Sequence, residues 1–293
     1  MTRLRVYAKA LRVHQWAKNV LVFVAAFAAG KLMELHSIAD LGLVFVAFSC
    51  VASAGYLVND LLDLESDRSH PTKRNRPLAS GAMSVRQGVS LAVILMLGGL
   101  AAAACVSWLV GAILSAYFAL TLTYSKILKR VIVVDAIVLA SLYTMRVLAG
   151  AAAIDVAPSM WLLAFSTSIF FSLALIKRCT ELLVMADAQR LATRGRDYRV
   201  GDLPYLQAMG IASGYMAVLV IALYLDSPNA TALYHRPKAL WAMCPLFLYW
   251  VSRLWIKTGR REMHDDPLVY GMTDRTSWIF FLCVAVVWAI AHF

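Results

Sequence analysis

Residues 59–67 read Asn-Asp-Leu-Leu-Asp-Leu-Glu-Ser-Asp and close an apolar run that is long enough to cross a membrane. At about 100° per residue, a helix would place Asn59, Asp63 and Asp67 on one stripe, with Asp60 beside it. Carboxylate and amide oxygens suit a hard cation such as Mg²⁺, which takes further ligands from water and substrate phosphate. The stretch therefore predicts Asn59, Asp63 and Asp67 as metal ligands, and Asp60, Asp63 and Asp67 as catalytic residues.

A basic segment follows the acidic stretch directly and contains Arg68, Lys73, Arg74 and Arg76. These side chains are predicted to hold the phosphates of a substrate. The alternative is an ordinary helix end at the lipid boundary, where solvated acids and bases balance each other. Oxygen ligands that repeat at i, i+4 and i+8 directly after an apolar run favour the metal-phosphate site.

The composition excludes a single soluble domain. Of the 293 residues, 61% are hydrophobic and 15% are charged, which is typical of a chain with many membrane spans. The sequence therefore predicts an all-α polytopic membrane protein with one domain over residues 1–293. Its five cysteines are far apart and form no CxxC pair, so they are interpreted as small buried hydrophobic residues.

Nine apolar runs of spanning length are predicted to form a nine-helix bundle, at residues 19–35, 41–59, 88–105, 108–125, 131–153, 158–176, 208–225, 238–256 and 277–292. With a cytoplasmic N-terminus, 24 of the 28 Lys and Arg residues lie in cytoplasmic segments. The positive-inside rule thus predicts a cytoplasmic N-terminus and an outer C-terminus. Topology also explains much of the net charge of +11, so nucleic acid is not a predicted partner.

Arg146 lies within the fifth predicted span, where a charge is costly and normally faces a bundle interior or a wet cavity. It is predicted to hold an anionic substrate. Asp135 precedes it by eleven residues and faces nearly the same side of the helix, so it is a second candidate. The alternative, a structural pair between the two side chains, is disfavoured by about 16 Å of helical rise.

Three further clusters are predicted to contact substrate: Gln15, Lys18 and Asn19; Tyr124, Lys126 and Lys129; and Lys177, Arg178 and Glu181. Topology or interfacial anchoring is an equally good explanation for the first two. In the third, Lys177 and Glu181 share a helix face at i, i+4, which is less easily explained by topology. His264 and Asp265 lack a zinc-binding spacing and are predicted to fix a loop.

Residues 59–67 match the pattern NDxxDxxxD, and residues 73–81 read KRNRPLASG. Both resemble motifs of the UbiA superfamily of intramembrane prenyltransferases. The chain is most similar to the polyprenyl-phosphate phosphoribosyltransferase branch, in HQWAKN (14–19), DRSHPTKRNRP (67–77), YSKILKR (124–130) and RVLAG (146–150). The resemblance implies a nine-helix bundle, Mg²⁺ as the cofactor, and a cytoplasm-facing cavity open sideways to lipid.

One departure distinguishes the branches. Aromatic prenyltransferases carry a second DxxxD motif after span six, where this chain has Lys177, Arg178 and Glu181. The resemblance therefore implies transfer of 5-phosphoribosyl from phosphoribosyl diphosphate to a polyprenyl (decaprenyl) phosphate, for a cell-envelope polysaccharide precursor. A prenyltransferase with an aromatic acceptor and a lipid-phosphate transporter stay open as alternatives.

The resemblance also implies an integral, multi-pass protein of the inner membrane, with its active site facing the cytoplasm. A homo-oligomer is compatible with this expectation. Some proteins fuse a similar membrane domain to an N-terminal phosphatase-like domain, and the sequence predicts no such domain within its 293 residues.

Overall fold

The computed structural model describes residues 3–69, 73–189, 196–263 and 266–293. These residues form helices and connecting segments without a β-strand among them, which confirms the all-α prediction. His70, His264 and Asp265 lie outside the described residues. The chain divides into unit 1, with Met1–Phe27, Lys31–Lys126 and Met145–Ala157, and unit 2, with Ala28–Gly30, Ile127–Thr144 and Pro158–Phe293. A single functional domain over 1–293 stays a prediction.

Helix α3 (Leu35–Leu62) is the most buried span of unit 1. The other helices that lie wholly or mainly in this unit are α1 (Arg3–Ala10), α2 (Val24–Ala28), α4 (Leu64–Ser69), α5 (Val85–Val106) and α6 (Trp108–Lys126), with 3-10 helices at Val13–Phe23 and Lys73–Asn75. Helix α3 packs against α5, α6 and the first 3-10 helix. Its buried positions include Ala47, Ser49, Ala52, Ser53, Ala54 and Gly55. Such small side chains let neighbouring helices approach closely.

Helix α7 (Val134–Ala153) begins in unit 2 and ends in unit 1. Unit 2 also contains α8 (Met160–Asp187), α9 (Leu203–Leu225), α10 (Pro228–Leu233), α11 (Met243–Gly259), α12 (Pro267–Thr273) and α13 (Arg275–His292), with 3-10 helices at Leu128–Arg130, Val200–Asp202 and Pro237–Ala242. Helix α9 packs against α8 and α11. The hydroxyl of Ser172 on α8 donates to the Gly210 carbonyl and accepts from Trp255 Nε1, so one buried serine links all three helices.

Among the described residues, eight helical segments are long and apolar enough to cross a membrane. They correspond to the last eight predicted runs. The first predicted run, 19–35, is different: the 3-10 helix Val13–Phe23 leads there into the short α2. The nine-helix count and the orientation of the termini are therefore not confirmed.

Buried polar residues explain why the first run is not one regular α-helix. Lys18 and Asn19 belong to the 3-10 helix, and both are buried. The helix begins after Arg12, whose own backbone is in the left-handed conformation with φ of 50°. A 3-10 helix rises about 2.0 Å per residue, so its 11 residues extend about 22 Å. The five residues of α2 add about 7.5 Å, which brings the total close to the hydrocarbon thickness of about 30 Å. A ninth crossing therefore stays a prediction that this geometry permits.

Gly150 of α7 lies against the backbone of the 3-10 helix. A Cβ added at Gly150 would lie 1.9 Å from the carbonyl oxygen of Val22, and a helix backbone cannot move aside as a side-chain end can. We expect Gly150→Ala to lower the free energy of unfolding by about 1–3 kcal/mol, measured as a lower Tm in detergent. Gly98→Ala is the control, because its Cβ would meet nothing within 4 Å. Equal Tm values for the two variants would contradict the close approach.

Candidate active site

Polar contacts hold the N-terminal segment along one side of α3. Trp16 Nε1 donates to Ser53 Oγ at 3.0 Å, and Asn19 Nδ2 donates to Ser49 Oγ at 3.0 Å. The Ser53 hydroxyl donates in turn to the carbonyl of Leu11 at 2.9 Å. Because Ser49 and Ser53 are one helical turn apart, they fix both the position and the direction of the segment.

This placement brings Arg12 to the acidic stretch. Its Nη2 lies 2.7 Å from Asp60 Oδ1, and its guanidinium lies over the ring of Tyr56 at 4.6 Å. Arg76 Nη1 lies 3.1 Å from the same Asp60 oxygen and 2.6 Å from Asp67 Oδ2. We call Arg12, Asp60, Asp67 and Arg76 the acidic-arginine cluster. Two carboxylates that are 4% and 1% exposed are thus neutralised by two guanidinium groups.

The predicted stripe of Asn59, Asp63 and Asp67 takes a different form. Helix α3 ends at Leu62, and Asp63 is its C-cap in a non-helical conformation before α4 begins. The amide of Asn59 donates to Ser125 Oγ at 2.9 Å, while the Asp63 side chain is exposed. The carboxylates that converge are those of Asp60 on α3 and Asp67 on α4, and both contact Nη1 of Arg76.

The oxygen donors of the acidic stretch are chemically suited to a hard cation. Their placement does not form a ligand set: across the described part of the chain, no three His, Cys, Asp or Glu side chains gather as a metal site requires. Asp60 and Asp67 contact arginine, and Asp63 points to solvent. The predicted metal coordination is therefore not seen in this arrangement and stays a prediction.

The remaining predicted residues of unit 1 differ in exposure. Arg68, Lys73, Arg74 and Lys126 are exposed, Gln15 and Tyr124 are half-buried, and Lys18 is buried. The segment that carries Lys73, Arg74 and Arg76 is held to α1 by Lys9, whose Nζ donates to the carbonyl of Asn75 at 2.8 Å. Of the three cations in this short segment, Arg76 contacts the two buried carboxylates.

Arg146 is buried, as the sequence predicts, and only 4% of it is exposed. Its Nε donates to Asn19 Oδ1 and its Nη2 to the Tyr117 hydroxyl, both at 2.9 Å. The guanidinium also lies over the rings of Tyr117 and Phe48, at 4.8 and 5.4 Å from their centroids. These contacts satisfy a charge at membrane depth within unit 1. A role in holding an anionic substrate stays a prediction.

In unit 2, Asp135 and Arg178 form a nearly inaccessible ion pair. Arg178 Nε lies 2.8 Å from Asp135 Oδ2, and Arg178 Nη1 lies 2.5 Å from Glu181 Oε2. Arg196 lies 3.2 Å from Glu181 and 3.9 Å from Asp135, so that opposite charges alternate around four residues. We call Asp135, Arg178, Glu181 and Arg196 the charge ring. Its formal charges cancel, and Arg178 contacts carboxylates, so the predicted contact of Arg178 with substrate stays a prediction.

Tyr198 lies close to three members of the charge ring, Asp135, Arg178 and Arg196. Its hydroxyl accepts a hydrogen bond from the backbone N–H of Val133, which precedes α7, and its side chain is buried. Burial, together with the nearby Asp135 carboxylate, raises the pKa of Tyr198 to about 12, so the phenol stays neutral. The hydrogen bond between Tyr198 and Val133 fixes the segment around 196–198 to the start of α7.

Two further predicted residues also lie in unit 2. Lys177 lies 3.8 Å from Asp266, and Lys129 is half-buried.

Arg12, Arg196, Tyr117 and Tyr198 take part in these clusters and were not among the predicted site residues. Arg12 and Arg196 were counted among the cytoplasmic Lys and Arg residues of the positive-inside rule, and such a count does not reveal that each has a specific carboxylate partner. Tyr117 lies in an apolar run and resembles a core residue. For Arg12, a signal was present: it lies two residues before the start of the HQWAKN segment that carries the resemblance.

The apolar helices define a helical, multi-pass membrane protein, and the family to which its sequence belongs makes it a transferase. The sequence matches the UbiA prenyltransferase family over residues 20–273, and the chain belongs to that family.

Among the relatives, the chain is 38% identical over 283 residues to the uncharacterized protein y4nM of Sinorhizobium fredii and spans 96% of its own length but 55% of that protein. It is 37% identical to the nodulation protein NoeC of Azorhizobium caulinodans, over 96% of this chain and 91% of NoeC. It is 38% identical over 180 residues to the decaprenyl-phosphate phosphoribosyltransferase of Corynebacterium glutamicum, which covers 60% of this chain and 54% of that protein.

The fold is shared with a solved structure of a UbiA homologue from Archaeoglobus fulgidus bound to GPP and Mg²⁺. The TM-score is 0.73 at 15% identity, over 97% of this chain and 99% of that one. A UbiA homologue from Aeropyrum pernix in its apo form gives a TM-score of 0.61 at 19% identity, over 94% and 96% of the two chains. At these identities the likeness establishes the fold.

Proposed function

We propose that the protein transfers a 5-phosphoribosyl group from phosphoribosyl diphosphate to a polyprenyl phosphate, such as decaprenyl phosphate, with release of diphosphate. The observation that carries the proposal is the 38% identity over 180 residues to a decaprenyl-phosphate phosphoribosyltransferase. The product would be a precursor of a cell-envelope polysaccharide. The proposal includes Mg²⁺ as cofactor, an inner-membrane location and an active site that faces the cytoplasm, where 24 of 28 Lys and Arg residues are expected.

The donor is proposed to bind at the acidic-arginine cluster. Arg76 has a partly exposed side chain, and Lys73 and Arg74 of the same segment are exposed. Charge-assisted hydrogen bonds from these cations would stabilise the negative charge that develops on the departing diphosphate. Among the described residues, the acidic side chains as placed do not form a ligand set for Mg²⁺, so the cations of this segment are the groups proposed to stabilise the diphosphate.

The reaction requires little proton transfer by the protein. The bond between ribose C1 and the diphosphate oxygen breaks, diphosphate keeps the electron pair, and a lipid-phosphate oxygen forms the new bond to C1. A phosphate monoester has a second pKa of about 6, so the acceptor is largely dianionic at neutral pH and needs no strong general base. Positioning and charge stabilisation are therefore the main tasks of the site.

Arg146 of unit 1 and Lys177 of unit 2 each keep the predicted role of contacting a substrate. Arg178 and Asp135 are enclosed in the charge ring, so we propose that they position α7 against α8. The aromatic prenyltransferase alternative is less well supported, because Glu181, at the place of the second acidic motif, contacts two arginines. That carboxylate is thus already neutralised within unit 2.

The proposal is tested by incubating the purified protein in proteoliposomes with phosphoribosyl diphosphate labelled in the ribose, Mg²⁺ and decaprenyl phosphate. Label is expected to enter the lipid phase, with release of one diphosphate per lipid product. A parallel reaction contains labelled geranyl diphosphate and 4-hydroxybenzoate. Prenyl transfer in the second reaction, without transfer in the first, would replace the proposed function by the alternative.

A further inference from the structure

We propose that the exposed face of α1 binds the headgroups of anionic membrane lipids, with this helix lying in the plane of the bilayer interface. The residues that define the exposed face of α1 are Arg3, Leu4, Arg5 and Tyr7. The inference goes beyond the proposed function, because it concerns a surface of unit 1 to which no substrate contact is assigned.

The packing of α1 places it at the level of a membrane surface. Ala10 is buried in an apolar cluster with Leu57, near the end of α3, and with Met83, just before the start of α5. Both α3 and α5 are long and apolar enough to cross a membrane. A helix that packs at the ends of two spanning helices lies where the hydrocarbon core meets the lipid headgroups.

The two sides of α1 differ in what they contact. Val6 and Ala10 are one helical turn apart, and both face the apolar cluster of unit 1. By contrast, Leu4 and Tyr7 are 81% and 37% exposed. At about 100° per residue, these two side chains lie within about 60° of each other and away from Val6 and Ala10. The helix therefore buries one apolar side against the protein and leaves a second apolar stripe exposed.

Cations lie on both edges of this exposed stripe. The helical period places Arg3 beside Tyr7 and Arg5 on the side of Leu4, and both arginines are exposed. Residues 3–33 contain six Lys and Arg residues and no acidic residue. A helix in the bilayer interface has this pattern, with apolar side chains in the acyl boundary and cations at the lipid phosphates. The charge and the apolar stripe therefore favour an anionic lipid surface as the occupant.

The test measures lipid binding to the purified full-length protein in detergent by native mass spectrometry, without donor or acceptor. The probes are phosphatidylglycerol and phosphatidylcholine with the same acyl chains. The wild type is expected to bind phosphatidylglycerol about tenfold more tightly than phosphatidylcholine. Arg3→Gln combined with Arg5→Gln should lose most of this preference. Arg3→Lys combined with Arg5→Lys should keep it, because attraction to the headgroup requires the charge and not the guanidinium.

Arg236→Gln combined with Lys238→Gln is the matched control, since it removes two exposed cations from unit 2. It should change the preference for phosphatidylglycerol by less than about twofold. Leu4→Ser tests the apolar stripe separately. This variant should weaken the binding of both lipids to a similar extent, because it removes apolar contact without changing the charge.

A preference for phosphatidylglycerol that survives in the double glutamine variant of α1 would overturn the inference. An equal loss in the unit 2 control would overturn it as well, because it would reveal a general field effect. So would a wild-type dimer that Leu4→Ser dissociates without weakening lipid binding, since a second copy would then cover this face. If the double variant does not fold, Arg5→Gln alone replaces it and should reduce the preference by about threefold. Because no substrate is present, these results are independent of which group the protein transfers.

Discussion

Asp63→Asn is expected to reduce the rate of transfer by about a thousandfold or more while leaving the Tm unchanged. Asp63 lies centrally in the acidic stretch that is predicted to bind metal, and its removal would take a carboxylate ligand from the site. The structure makes this variant a clean test. The Asp63 side chain is exposed, and no side-chain partner is found for it in the described part of the chain. A loss of activity would therefore reflect the site and not the fold.

Glu65→Gln is the matched control, because Glu65 is an exposed acid two residues away on α4 and undergoes the same change from acid to amide. It is expected to retain activity within about threefold of wild type, as surface charges have small effects. The measurement is label transfer to lipid at saturating substrates, with and without EDTA. A fully active Asp63→Asn protein, or full activity in EDTA, would refute the metal hypothesis.

Arg178→Ala is expected to lower the free energy of unfolding by about 3–5 kcal/mol, because it removes the closest cation from a completely buried Asp135. Most of the variant should fail to purify as a monodisperse protein, or should unfold many degrees below wild type. Arg196→Gln is the control within the charge ring. Its side chain is 27% exposed and its contacts are longer, so the expected loss is clearly smaller.

Asp135→Asn combined with Arg178→Met separates stability from substrate binding. Removing both charges together should recover much of the lost stability, since no buried charge is left without its partner. If Arg178 served chiefly to bind the lipid phosphate, Arg178→Ala would keep a normal Tm and show a raised KM for the lipid. That result would contradict a structural charge ring and restore the role that the sequence analysis predicted.

The sequence predicted the all-α membrane fold and eight of its spans because apolar run length is a local property. It failed to predict the form of residues 13–28, because polar Lys18 and Asn19 are buried there by partners in distant helices. The acidic stretch was recognised, but a pairing at i, i+4 was expected. The structure instead brings Asp60 of α3 and Asp67 of α4 together at Arg76, and the end of α3 at Leu62 could not be predicted from the helical period.

The charge ring could not be predicted in the same way. Its members come from the start of α7, the end of α8 and a segment beyond residue 195, and charge patterns carry no information on such distant partners. The sequence singled out this cluster because Lys177 and Glu181 share a helix face at i, i+4. It gave no sign that Arg178 is buried against Asp135, and contact of Arg178 with substrate stays a prediction.

The contacts of Asn19 affect the order in which the chain is assembled during synthesis. Its amide nitrogen bonds to Ser49, 30 residues later, but its oxygen accepts from Arg146, 127 residues later. At about 5–20 residues per second, the ribosome needs roughly 6–25 s to deliver that arginine. The 3-10 helix Val13–Phe23 is thus synthesised well before its later partner, Arg146, is available. During this interval its Lys18 and Asn19 must be shielded from lipid by the translocation machinery or by α3 alone.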